Sequence, residues 1–92
     1  MKKITTIILV SLLAVVSFSQ DIATARAQGI GSTVTITGIV TNGDELGPIR
    51  YIEDATAGIA LYDPTALSSV IRGDEITVTG TLVDYNGLME MN

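Results

Sequence analysis

Arg50, Tyr51, Tyr62 and Tyr85 are the side chains of this chain best suited to holding a ligand. Aromatic rings offer faces on which nucleobases stack, each worth about 1–3 kcal/mol, and a guanidinium can meet a phosphate. The same three tyrosines equally suit half-buried packing with a wet hydroxyl. Other chemistry is poorly supplied. The chain has no His and no Cys, which excludes zinc or haem ligation by those side chains and any disulfide, and no cofactor is implied. Asp44–Glu45 and Asp74–Glu75 are acidic pairs, but neither sits in a recognisable calcium-loop spacing, and both read as solvated loop charge. Thr33, Thr35, Thr37, Thr77, Thr79 and Thr81 read as an exposed β-branched face, with no His or Lys near to activate a hydroxyl. Nothing points to a pair of carboxylates working across a cleft. The reading is of a protein that is not an enzyme.

The N-terminus explains part of the composition. Lys2 and Lys3 precede an apolar run from Ile7 to Val16 broken only by Ser11, and Ser17 and Ser19 put small residues at −3 and −1 of a cut before Gln20. This is the grammar of a secretory signal; an uncleaved N-terminal anchor is the alternative. The run is too short to span a bilayer as a helix, which takes about 20 residues. Residues 1–19 are thus expected to be removed and to take no part in the fold, leaving no membrane span. The destination is outside the cytoplasm, whether periplasmic, extracellular or on the cell surface. The 73 residues from Gln20 to Asn92 suffice for one small domain, at a size where a single core is only marginally adequate. They carry Arg26, Arg50 and Arg72 against ten acidic residues, a net charge of −7. Phosphate backbones attract basic surfaces, so this charge weighs against stand-alone nucleic-acid binding.

The elements that must position the tyrosines follow from periodicity. Asp21 can cap a short helix from Ile22 to Gln28 that Gly29 and Gly31 end. From Thr33 to Thr41 the period is two, with Val34 and Ile36 on one face; Gly38 and the apolar pair after it suggest a bulge or a sharp coil. Asn42–Pro48 is a loop, Ile49–Glu53 a second strand, and Ile59–Tyr62 a third. Pro64 to Gly73 bound a crossover, helical or irregular, and Glu75–Val83 is a fourth strand. It echoes the first: Val34-Thr35-Ile36-Thr37-Gly38 matches Ile76-Thr77-Val78-Thr79-Gly80, as two long strands needing a glycine bend at the same depth would. Asn86-Gly87 signals a type I′ hairpin into Leu88–Met91. This order predicts an all-β fold: a five-stranded OB-type Greek-key barrel preceded by a short helix, with a β-sandwich fragment as the alternative. The last strand is short for closing a barrel, so Asn92 is expected to be a truncation point in a longer protein. An open edge would invite pairing into an oligomer. With Ile52, Ile59 and Leu61 facing the core, Tyr51, Glu53, Ala60 and Tyr62 face outward.

The order of short motifs resembles a bacterial OB-fold domain family of exported proteins. Ile22-Ala23 with Ala25-Arg26, Val34–Gly38, Tyr51-Ile52-Glu53-Asp54-Ala55-Thr56-Ala57-Gly58-Ile59, Arg72-Gly73-Asp74, Val78–Leu82 and Tyr85–Glu90 carry the likeness across the mature chain. The resemblance implies an accessory domain of secreted or cell-surface proteins, often beside endonuclease/exonuclease/phosphatase-type or lamin-tail domains. Single-stranded nucleic acid, held by Arg50, Tyr51, Tyr62 and Tyr85, is then the favoured ligand, and downstream domains of the same polypeptide are the expected partners. The competing reading is a structural spacer, or a protein- or glycan-contacting domain.

Overall fold

The computed structural model describes residues 4–8 and 19–92. Its elements are β1 (Ile4–Ile8), α1 (Ile22–Ala27), β2 (Thr33–Val40), a 3-10 turn (Asp44–Leu46), β3 (Ile49–Glu53), β4 (Gly58–Tyr62), β5 (Glu75–Tyr85) and β6 (Leu88–Met91). β2 pairs antiparallel with β5 and then with β3, β3 with β4, and β4 runs parallel to β6. β6 returns antiparallel to β5, so five strands form a closed cycle in the order expected of an OB barrel. Four residues suffice for that closure because each edge of β6 is used. Asn92 then adds a reciprocal pair of hydrogen bonds with Thr81. The hairpin before β6 is of type I′, with φ of 53° at Asn86 and 92° at Gly87. Residues 64–73 form an irregular crossover that drops Leu67 and Val70 into the core.

The two glycine-bearing strands depart from expectation in an informative way. Of the two expected devices, bulge and sharp coil, the bulge is not used: β2 keeps register with β5 from Thr33 opposite Thr81 to Ile39 opposite Glu75. Val34, Ile36, Gly38 and Val40 all face inward, as do Ile76, Val78, Gly80 and Leu82. The glycines also sit at opposite ends of the ladder, Gly38 across from Ile76 and Gly80 across from Val34. Each marks a barrel corner where the next strand crosses close by. A Cβ on Gly38 would lie 2.9 Å from the Glu53 carbonyl oxygen, and one on Gly80 would lie 2.6 Å from Met91 Cγ. The repeat therefore comes from antiparallel pairing of two like strands. It sets threonine against threonine on the outer side, with hydroxyls 2.8 Å apart in Thr35–Thr79 and Thr37–Thr77. That row is less exposed than expected, Thr35 being buried.

A six-residue helix is too short to hold itself, and α1 is held by its N-terminus. Three amides with no partner inside the helix each find an oxygen. Thr24 N donates to Asp21 Oδ1, Ile22 N to Asp54 Oδ2 and Ala23 N to Thr56 Oγ1, at 2.7, 2.8 and 3.1 Å. Two of those acceptors come from the β3–β4 turn. Ile22 and Ala25 then seal one side of the core.

Part of the N-terminal segment is placed in the sheet. In the chain as translated, Ile4–Ile8 forms β1, parallel to Glu75–Thr79 of β5, and Ile7 joins the core cluster. Lys2, Lys3, residues 9–16, Ser17 and Phe18 lie outside the described residues. Among the described residues no helix is long and apolar enough to cross a membrane.

Candidate functional site

β3, β4 and β6 lie side by side, and their outer faces make the surface on which this barrel can present a ligand. Alternation puts Ile52, Ile59 and Leu61 inside and Tyr51, Glu53 and Tyr62 outside, as expected from the sequence. Tyr51 stands opposite Ala60 and Ile49 opposite Tyr62, so the two tyrosines share one face two positions apart. They are 37% and 40% exposed, enough to offer ring faces to a ligand. Tyr51 is also held in register from the β2 side. Its amide donates to Asn42 Oδ1 at 2.7 Å, and its carbonyl accepts from Thr41 N at 2.9 Å.

A cleft of about 250 Å³ opens on this face, lined by Tyr51, Glu53 and Thr41 on one side and Leu88 and Met89 on the other. Gly58 and Ala60 line it from β4 between those walls; their small size is what leaves the space. Arg26 reaches it from the last turn of α1, and its Nη1 donates to the Gly58 carbonyl at 3.2 Å. A guanidinium carries five N–H groups, so most of its donors stay available. Tyr85 is exposed at the start of the hairpin, opposite Leu88, at the edge of the same surface.

The arginines divide the roles differently from the sequence reading. Arg50 is no rim cation: it is 2% exposed, and its guanidinium donates to the carbonyls of Val70, Gly47 and Ile49 at 3.0, 2.7 and 3.1 Å. The reason is its position, since on β3 it shares the inward side of Ile52. Arg72 is engaged by Glu45 at 2.6 Å and by the Thr41 carbonyl. Arg26, which the sequence reading did not single out, is the cation that faces the cleft. Nothing local marks it, because its place depends on how α1 docks. The acidic pairs are not simply solvated loop charge: Glu45 accepts from Gly43 N and from Arg72 of the crossover, Asp74 is buried and accepts from Ile71 N, and Glu75 opens β5.

The turn that docks α1 depends on one carboxylate. Asp54 accepts from the Thr56 hydroxyl, Thr56 N and Ala57 N as well as from Ile22 N. The Thr56 hydroxyl, followed by these amides, pulls its pKa down to about 2 from 3.8. Asp54 therefore shapes the hairpin that carries Tyr51 and also fixes the helix that carries Arg26.

Glu90 is the opposite case. It lies in the row Tyr51, Ala60, Glu90, Val83 across four strands, 4% exposed, and burial raises its pKa. A raised carboxyl pKa means that the folded state prefers the protonated form. Stability from this group is full below its unfolded pKa and falls as pH rises through the folded value. Glu90→Gln is accordingly expected to raise the melting temperature at pH 7 and leave it nearly unchanged at pH 4, as thermal unfolding at the two pH values would register. Equal effects at both would contradict a burial penalty on the charge.

No family model matches this chain. Its sequence is 32% identical over 81 residues to the endonuclease YhcR of Bacillus subtilis (strain 168). The match takes in 78% of this chain but spans only 6% of the length of that endonuclease. Among solved structures, the fold is similar to that of the hypothetical protein ygiW from E. coli. The TM-score is 0.65 at 11% identity, covering 87% of this chain and 92% of that one. That likeness is one of fold.

Proposed function

We propose that this chain is a non-catalytic, exported OB-fold module that holds single-stranded nucleic acid on the outer face of β3, β4 and β6. It would serve as an accessory domain of a larger secreted or surface protein such as a nuclease. The observation that carries the reading is the cleft, where an exposed Tyr51 and the available Arg26 guanidinium face one space of about 250 Å³. A base stacks on Tyr51, its phosphate meets Arg26, and Tyr62 and Tyr85 extend the aromatic surface along the strand. The similarity to a segment of an endonuclease supports the ligand class. The net charge of −7 sets the terms: affinity is weak, strongest at low salt, and raised when neighbouring domains bring the nucleic acid close.

The test is quenching of tyrosine fluorescence by a single-stranded oligonucleotide at low salt. Tyr51→Ala is expected to weaken binding about tenfold. Arg26→Gln is expected to weaken it about fivefold and to lower the salt slope by about one, without shifting the melting temperature. Absence of quenching at millimolar strand overturns the reading. Glu53 in the cleft favours one competitor, a glycan- or protein-contacting spacer, and quenching by soluble glycan alone would move the assignment there.

A further inference from the structure

The barrel has one edge whose cover depends on the leader. Along one side β5 is paired to β2 from Glu75 to Thr81. Along the other it carries β6 from Leu82 to Tyr85, and β1 from Glu75 to Thr79. Backbone groups alternate between these two sides. Thr81 N and O both bond Asn92 on the β6 side, at 3.1 and 3.0 Å. Leu82 N bonds Ser32 O and its carbonyl accepts from Gly31 N on the β2 side, at 2.9 and 2.7 Å. By that alternation Glu75, Thr77 and Thr79 turn their amides and carbonyls toward the strand that β1 occupies. Loss of residues 1–19 would leave these groups without the strand that covers them, and would take Ile7 from the core cluster.

We infer that the processed chain closes this edge with the same edge of a second copy. The inference rests on the export reading, because it requires the cut before Gln20. Two β5 strands run antiparallel about a two-fold axis at Thr77. Glu75 then lies opposite Thr79 of the second copy, and Ile76 opposite its Val78. All three outward-turned residues fall in hydrogen-bonded pairs, which gives six backbone hydrogen bonds across the axis. The register is self-complementary, as an isologous contact must be. It sets each Glu75 against a threonine, so no two carboxylates are directly opposed. Glu75–Thr79 contains no Pro, Lys or bulge of the kind that guards exposed edges. Because each copy carries −7, the dimer tightens as salt rises.

The experiment takes the chain expressed with its own leader and recovered outside the cytoplasm. Intact mass locates its N-terminus, and light scattering follows its size across a hundredfold range of concentration. A product beginning at Gln20 is expected to be a dimer that dissociates on dilution and tightens with salt. Thr77→Pro removes an amide that faces the second copy and is not used by β2, so it is expected to give a monomer with the barrel intact by circular dichroism. Thr77→Lys opposes two ammonium groups at the axis and is expected to raise the dissociation constant at least tenfold at low salt, although it reduces the net negative charge of each copy. A processed chain that stays monomeric, or a dimer indifferent to both variants, overturns the edge pairing alone. A product that retains residues 4–8 overturns the cut before Gln20 and the pairing with it.

Discussion

Replacing Asp54 with alanine is expected to cost about 3 kcal/mol of folding stability, from the loss of four hydrogen bonds to one charged acceptor. Water can reach this half-exposed turn and replace part of what is lost, which keeps the figure below the sum of four buried bonds. For a domain of this size the change lowers the melting temperature by about 10–20 °C. The loss has a particular distribution. Ile22 N loses its acceptor, so α1 is left with Asp21 and Thr56, and Thr56 is itself oriented by Asp54. The helix is therefore expected to lose amide protection before the barrel strands do, and hydrogen exchange can resolve that order.

The pH dependence provides the second half of the test. Asp54 has a folded pKa of about 2 against an ordinary 3.8. A depressed carboxyl pKa contributes stability that is complete above the unfolded value and disappears as pH falls through the folded one. The difference between wild type and Asp54→Ala is thus expected to be full above about pH 4 and to shrink toward pH 2. A gap that stays constant across that window would assign the cost to packing and not to the carboxylate. Glu90 titrates with the opposite sign but is present in both proteins, so its contribution cancels in that difference.

Arg50→Met is expected to be as damaging, at about 3–4 kcal/mol, because it removes a charged donor from the Val70, Gly47 and Ile49 carbonyls in a buried setting. Domains of this kind have only about 5–15 kcal/mol in total, so the variant should be partly unfolded near body temperature. Arg50→Lys is expected to recover little, since one ammonium cannot span acceptors that a planar fork reaches. Denaturant midpoints measure the loss, and oligonucleotide titration on the folded fraction shows what kind of residue Arg50 is. Unchanged affinity per folded molecule fits its place between the 47–49 loop and the crossover. A variant of normal stability and lost affinity would return Arg50 to the ligand.

The limits of β2, β3, β4 and β6 to within a residue, the outward pair Tyr51 and Tyr62 and the Asn86–Gly87 turn could all be read along the chain, because period-two alternation and turn chemistry are local signals. Even the burial of Arg50 was legible in principle: it shares parity with Ile52, and only the habit of placing charges in water argued otherwise. The glycine repeat was visible too, but its cause was not. A missing Cβ at Gly38 and Gly80 has meaning only once Glu53 and Met91 cross there. Arg26 belongs wholly to the tertiary structure. Its entry into the cleft requires α1 to dock, and α1 docks because Asp54 and Thr56, some thirty residues away, supply acceptors to its first amides. The alternation of a strand is decided by neighbours in the chain, whereas the floor, walls and cation of the cleft come from four elements that only the closed barrel brings together.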